Sequence, residues 1–469
     1  MARDKGDGAH KPLLSPTASA AGPVETLTPR GEGHIQHRAS TPEDVRRSMQ
    51  KASVLDTTSI LIGLIMGSGS LGLPYAMAQL GWVVGLSVCV AFGIAAMYSG
   101  LLLSKVRNSF CPQAENFSDV ANMVSGPWFG TMTRYAIWLN WTMLLPYYLM
   151  STTRAIEVAI GKKAMCFPEV MLCIVALLVI LVQLRTLHSL TWLAGASGGA
   201  ITLAIVLLLV DFALYAPKGP DNAPGFDKVN GTHLWPRSSA GIVDVYGSTA
   251  SFIFAYQGQS VFLEVMREMK DGRQFPRAVT LATGIMMTVY LIIITLCYLS
   301  KGVSMPDFAP DAVTNPHFQK IVGGLVAFNL FSSYLLTNVP LALALHSVLF
   351  PATALDFTGF RGRVHWFLIT GALLGFSFVV ANAIPFFGSF QGIIGAALGA
   401  PILFGWPPAF FLLASKKYGV PVSWFDAVLC RVFIYIVFPV CFSLGLYSAV
   451  RSLVLSWGDN GAPFDCYPA

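Results

Sequence analysis

The sequence predicts an all-α polytopic membrane protein of about eleven transmembrane helices, arranged as a 5+5 inverted repeat with helices 1 and 6 broken and one extra helix. Three observations carry this expectation: a composition that water cannot coat, apolar runs of bilayer length, and two runs interrupted by glycine five segments apart. Of 469 residues, 54% are hydrophobic and 12% charged, with a mean hydropathy of +0.62, whereas soluble domains carry about 25% charged residues. The net charge of +6 comes from Lys and Arg scattered between apolar runs. They form no groove-sized cluster, so no nucleic acid partner is expected.

Residues 1–50 are rich in Pro, Ser, Thr and Gly and show no apolar period. Such a segment buries too little surface to offset its chain entropy, and we expect a disordered cytoplasmic tail. It has no basic stretch followed by an apolar core, so the first span itself must direct insertion. Ser15-Pro16, Thr28-Pro29 and Thr41-Pro42 are dipeptides common in any such tail, and Lys11 to Leu14 loosely matches a dileucine sorting signal with Asp7 upstream. The membrane domain is expected over 51–457 and a short non-cytoplasmic tail over 458–469.

Apolar segments follow at approximately 54–80, 82–104, 128–152, 168–187, 190–215, 242–266, 278–300, 319–350, 366–386, 390–415 and 427–456. With no water to satisfy exposed backbone, each must be a helix, since the period-2 alternation of a barrel is absent. A cytoplasmic N-terminus places the basic loops inside: Arg46 to Lys51, Lys105 and Arg107, Arg267 to Arg277, Arg361 and Arg363, Lys416 and Lys417. Arg154, Lys162, Lys163 and Lys301 then fall outside. The longest outside loop carries a glycosylation sequon at Asn230, while the second sequon, at Asn116, falls inside and should be silent. The eight cysteines form no CxxC pair or metal-ligand spacing. Cys166 and Cys466 both fall in outside segments, but connectivity is not readable from sequence.

The first segment places Gly63, Gly67, Gly69, Gly72 and Pro74 near the bilayer midplane. Each glycine costs about 1 kcal/mol of helix propensity and proline about 3, and non-helical backbone at that depth persists only where it is buried in protein or lines a cavity. In the sixth segment, Phe254 to Ser260 sets Gly258 between Gln257 and Gln259. Paired interruptions of this kind point to a midplane binding site. Half-helix N-termini offer N–H groups to a carboxylate and freed carbonyls accept from an ammonium or hold a cation, a combination suited to an amino acid. The expected cradle comprises Gly67, Ser68, Gly69, Ser70, Leu71, Phe254, Ala255, Tyr256, Gln257 and Gly258, with Asn140 at lower rank.

The stretches GSGSLGLPYAMAQLGW (67–82) and FIFAYQGQSVFLEVMREMKDGRQFP (252–276) resemble the first- and sixth-helix signatures of the amino acid/auxin permease family. Ile384 to Gly388 with Gly395-Ala396 resembles its ninth-to-tenth helix junction, and the likeness covers about residues 50–456. It implies the amino acid-polyamine-organocation fold and cation-coupled amino acid transport. Auxin carriers typically have glutamines in the first helix, where Gly and Ser stand here. The resulting expectation is a secondary active amino acid transporter working by alternating access, with a proton favoured over sodium. The alternatives are a non-transporting sensor of the same fold or a carrier of an auxin-like relative.

Coupling candidates are the intramembrane carboxylates Asp56 and Glu264, and the hydroxyls of Ser333 and Thr337 one turn apart on the eighth segment. The Ser333 and Thr337 hydroxyls complete a cation site or bond their own i−4 carbonyls. Asp211 and Asp244 lie near the outer interface and are expected to be hydrated, and His188 sits in an inner loop. No HExxH, GxSxG or paired-carboxylate signature lies in a span, so no enzyme and no catalytic residue is expected. We expect no metal, no cofactor beyond the coupling ion, a monomer in the lipid bilayer, and a plasma or vacuolar/endosomal membrane location.

Overall fold

The computed structural model describes residues 52–161, 165–183, 191–215, 231–236, 242–353, 359–384, 386–459, 464 and 466. The N-terminal tail with its motifs, His188, the side chain of Asp244 and Asn230 of the sequon lie outside the described residues. Among the described residues all regular structure is helical, apart from one isolated bridge between Ala52 and Met269.

Helix α1 (Val54–Ile65) passes through a 3-10 turn (Ser68–Leu71) into α2 (Leu73–Ser109). α2 bends at Gly81 (φ 72°, ψ 176°), so it spans the end of the first predicted segment and the whole second one. Only glycine fits this bend: a Cβ there would sit 2.8 Å from the Trp235 carbonyl oxygen. The flanking N–H groups of Trp82 and Val83 donate to the carbonyls of His233 (2.9 Å) and Leu234 (3.0 Å). There follow α3 (Phe117–Ser125), α4 (Pro127–Ile160), α5 (Phe167–Leu181) and α6 (Thr191–Leu214). The sixth segment is split into α7 (Ile242–Tyr256) and α8 (Phe262–Glu268) by a 3-10 turn (Gln259–Val261).

Helices α9 (Phe275–Lys301), α10 (Pro316–Leu349) and α11 (Phe360–Ala383) are continuous. The last two segments each contain π-helix: α12 (Phe387–Ile394) joins α13 (Trp406–Tyr418) through Gly395–Gly399 and Pro401–Gly405. Pro401 has no N–H to continue the α ladder there. α14 (Trp424–Val432) joins α15 (Phe438–Asp459) through Phe433–Val437. Seven of the described helical stretches are long and apolar enough to cross a membrane, and α1 and α5 are shorter apolar helices. The other four expected segments fall short for three reasons: the breaks cut the first and sixth into pieces shorter than a bilayer is thick, α5 has 15 residues, and α4, at 34 residues, is long enough but not apolar enough.

The broadest interface joins α4 to α10, and α10 also packs on α6, where the Asn329 amide donates to the Ser197 hydroxyl (2.8 Å). A second set brings α2, α7, α9, α12 and α15 together around the breaks. At the end of the bundle where α1 begins, hereafter the near end, Ala52 pairs with the chain leaving α8: its N–H donates to Glu268 (3.2 Å) and its carbonyl accepts from Lys270 (3.1 Å). At the far end, Val303 donates to Gly231 (3.1 Å) beside the Gly81 bend.

The far end also holds a disulfide between Cys166 and Cys466, joining positions 300 residues apart in sequence. Around it, Phe167 N–H donates to the Cys466 carbonyl (2.9 Å) and Phe464 N–H to that of Asn382 (3.4 Å). The pairing that spacing left open is therefore made.

Two expectations are corrected, and one element is added. Arg154, assigned to an outside loop, lies inside α4, which runs on to Ile160, and its buried guanidinium donates to Asp307 (2.9 Å). Asp211, expected to be hydrated, is 0% exposed, because its carboxylate accepts from the N–H groups of Thr314 (2.8 Å) and Asn315 (2.9 Å) at the start of α10. An anion placed there satisfies donors that the helix itself cannot. Asn116 begins a short helix that the reading did not foresee: it caps α3 in a reciprocal box with Asp119, and Ser118 donates to its side chain (2.7 Å).

Asp211→Ala strands both donors at the start of α10 and should destabilise the protein by about 1–2 kcal/mol. The expected observation is a lower melting temperature in detergent, with Asp211→Asn falling between Ala and wild type; an unchanged melting temperature would show the cap to be energetically idle.

Candidate functional site

Both breaks follow local chain chemistry. α1 stops at Ile65, and the glycines that follow weaken any continuation. Pro74 then sits in the opening turn of α2, where its missing N–H would lack an intrahelical partner in any case. In the sixth segment the helix stops at Tyr256, and the Gln259 side chain accepts from the Gly258 N–H (3.0 Å), giving the freed donor a partner within the break.

The two breaks lie against each other. A Cβ on Gly69 would stand 2.8 Å from the Ala255 Cα, and one on Gly258 would stand 2.5 Å from the Ile65 side chain. Gly69 is thus required by backbone contact between the half-helices. Ser68, Gly69, Ser70, Leu71, Phe254, Ala255, Tyr256 and Gly258 are buried, and Gly67 and Gln257 are half-buried. Asn140 joins them from α4, accepting from the Gln257 amide (2.8 Å). Tyr256 contributes its backbone to this group, while its hydroxyl lies 3.5 Å from Cys89 Sγ on α2.

The freed carbonyls were expected to face a ligand, and the structure corrects this in large part. Gly67 accepts from the Ser70 N–H (3.2 Å) and hydroxyl (2.9 Å), Ser68 from the Tyr147 hydroxyl (3.3 Å) and Gly69 from the Gln391 amide (3.2 Å). On the other break, Ala255 accepts from the Tyr290 hydroxyl (3.0 Å), Phe254 from the Gln257 N–H (3.2 Å) and Gly258 from the Val261 N–H (3.2 Å). The physical reason is the cost of a buried acceptor left empty, about 1–3 kcal/mol. Among the buried side-chain polar atoms, Gln257 Oε1, Gln259 Nε2, Gln391 Oε1 and both polar atoms of Asn338 have no hydrogen-bond partner.

Sequence reasoning passed over Gln391 and Tyr290. Gln391 carried a legible signal, an amide inside an otherwise apolar stretch at membrane depth. Tyr290 carried none, since an aromatic residue in a span is ordinary.

The four coupling candidates are not brought together. Asp56 is exposed at the near end and caps α1, accepting from the Ser53 N–H (2.9 Å) and hydroxyl (2.8 Å). Ser333 donates to its own i−4 carbonyl, Asn329 (2.9 Å), and Thr337 lies against the Tyr148 hydroxyl. Glu264 lies one turn beyond the second break and lines a cavity of about 350 Å³ with Arg134, Trp138, Trp141, Ser260 and Ser347. Ser260 lies in the 3-10 turn of the second break, so a break residue and Glu264 line the same cavity.

A second cavity, of about 430 Å³, opens toward the far end among Tyr75, Gln79, Ser251, Asp307, Ser389 and Ser452. Aromatic rings cover the breaks on this side. Tyr147 packs against Phe254 (4.9 Å), Phe387 (5.3 Å) and Phe390 (6.2 Å), and Phe387 against Phe308 (4.9 Å). Asp307 ties this cover in place, pairing with Arg154 and accepting from the Gly388 N–H (3.1 Å).

Comparison with known proteins agrees with this architecture. The chain is 27% identical to the Arabidopsis thaliana amino acid transporter AVT1B over 406 residues, covering 84% of this chain and 70% of that one. It is 27% identical to AVT1C of the same plant over 424 residues, 87% and 70% of the two chains. It is 20% identical to the N amino acid transport system protein of Neurospora crassa over 428 residues, 88% and 87% of the two chains. Among solved structures, MhsT in complex with L-phenylalanine shares the fold, with a TM-score of 0.52 at 14% identity over 85% of this chain and 99% of that one. Residues 50–451 match the family described as "Transmembrane amino acid transporter protein", and the chain belongs to that family of transport proteins.

Proposed function

We propose that the protein is a secondary active amino acid transporter that binds its substrate between the two breaks and works by alternating access. The observation that carries this reading is the backbone contact of Gly69 with Ala255, which brings two interrupted helices face to face at the centre of the bundle. The cradle is formed by Gly67 to Leu71, Phe254 to Gly258 and Asn140. The helical turns that restart after each break present N–H groups and a positive dipole end to the carboxylate. The aromatic rings packed against the first and sixth segments beside the far cavity, and the near cavity reaching Ser260, suit a conformation that communicates with the near end.

A proton is our choice of coupling ion and sodium the second, with Glu264 as the coupling group. Of the two candidate carboxylates, Glu264 is the one that shares a cavity with a break residue. Asp56 is engaged as a cap, and Ser333 and Thr337 have partners within the protein, so a cation site built from them requires rearrangement. We further propose that the near end faces the cytoplasm. The Lys/Arg bias of the loops supports this, as does the far-end disulfide, since disulfides persist in oxidising compartments.

Purified protein in proteoliposomes should exchange labelled for unlabelled amino acids in counterflow; saturable binding with no flux under any imposed gradient would instead mark a sensor. Gly69→Val should lower the exchange rate by about tenfold or more, because the added side chain forces the breaks apart. Gly63→Ala, with nothing within 4 Å of its Cβ, should leave the rate near wild type.

Glu264→Gln removes a titratable group without changing size, so counterflow should persist while accumulation driven by a pH gradient is lost. If accumulation by the Gln variant follows the pH gradient as in wild type, the coupling group lies elsewhere.

Orientation is read most simply from glycosylation. Asn230 directly precedes Gly231 of the far end, so a glycosidase should increase the gel mobility of wild type and not of Asn230→Gln. Modification at Asn116 would contradict the assignment of the near end to the cytoplasm.

A further inference from the structure

We propose that Gln391 is a ligand-binding residue whose Oε1 accepts from the ammonium group of the transported amino acid; this rests on the substrate site lying between the breaks. Gln391 projects from α12 and is 0% exposed. Its Nε2 is anchored on the Gly69 carbonyl, an atom that can only accept, and this fixes which end of the amide is which. Its Oε1 is then left buried with no partner, pressed against Gly72 where α2 restarts, so close that any side chain at Gly72 would collide with it.

An ammonium arriving at the breaks meets backbone carbonyls that mostly share themselves with a protein donor, using one of their two lone pairs. The carbonyls of Gly67, Ser68 and Gly69 on one break and of Phe254, Ala255 and Gly258 on the other already accept from protein donors. The nearest carboxylate on that side, Asp307, is held by Arg154 and the Gly388 N–H. Gln257 Oε1 is also unpartnered, but it belongs to a half-buried side chain directed toward Gly399 of the π-helical stretch. Gln391 Oε1 is the buried acceptor that touches the first break. A charged donor there makes a charge-assisted hydrogen bond, stronger than the neutral one a water would make. The same amide would thus hold the break together through Nε2 and read the ligand through Oε1.

The test compares wild type, Gln391→Met and Gln391→Glu. The probe is an equimolar mixture of the twenty labelled L-amino acids, and the competitor is the matching mixture of 2-hydroxy acids, in which a hydroxyl replaces the ammonium. KM is read from proteoliposome uptake, and binding of each mixture from the shift in melting temperature in detergent. Gln391→Met should raise the KM for amino acids about tenfold and weaken inhibition by the hydroxy acids by clearly less, the smaller common loss reporting the stranded Gly69 carbonyl and the neutral hydroxyl contact. Gln391→Glu keeps an acceptor and should preserve the preference for the amine.

An unchanged KM in the Met variant would overturn the proposal. So would an equal loss for amino acids and hydroxy acids, which would make Gln391 a support for the Gly69 carbonyl alone. If the Met variant does not fold, the Glu variant decides, and loss of its amine preference overturns the proposal. Wild type that binds amino acids without moving them would defeat the transport reading, while the binding arm would still decide the role of Gln391.

Discussion

A membrane offers no water to a broken helix, and this constraint organises the centre of the molecule. Every backbone group released by the interruptions at Gly67 to Gly72 and Gln257 to Gly258 must be matched from inside the protein or by whatever the protein binds. The structure meets much of that demand with side chains from other helices: Tyr147 from α4, Tyr290 from α9 and Gln391 from α12 each donate to a carbonyl of a break. The helices around the site are thereby tied to the breaks by hydrogen bonds as well as by packing. A rigid-body movement of one set of helices against the other has to exchange these bonds, so the same contacts that stabilise the breaks define what a conformational change must overcome.

Several side-chain amides around the breaks are buried without a partner, and this sharpens the chemistry of the site. Freed carbonyls alone would have suggested a ligand recognised through backbone. Instead Gln391, Gln257 and Gln259 surround the breaks with neutral groups that have hydrogen-bonding capacity to spare. The asymmetry of the two sides follows the same logic. Toward the far end, aromatic rings and the Asp307 contacts pack beside a cavity that Asp307 itself lines, while toward the near end a cavity brings Glu264 and Ser260 together.

The fold class was legible because its determinants are local. Apolar length reports the spans, and glycine and proline report where helices stop, so the breaks at Gly67 and Gly258 could be located within a residue or two. The partners of those breaks were not legible, because they depend on which helices become neighbours. Nothing in the spacing of Tyr290 or Gln391 points to Ala255 or Gly69. Charged residues misled for a related reason. Asp211 read as interfacial and Arg154 as an outside-loop residue from sequence, yet each is buried against a partner about 100 residues or more away. Asp56 and Glu264 had equal standing in the sequence, and only their surroundings separate a cap from a group facing a cavity.

The central claim is that the ligand sits between the two breaks, and the most direct measurement is an experimental structure of the protein with its amino acid bound. The account predicts density for the amino acid bounded by Ser68 to Leu71 on one side and Phe254 to Gly258 on the other. An amino acid bound elsewhere in the bundle, with the Gly69 and Ala255 backbones still in contact and nothing between the breaks, would contradict it.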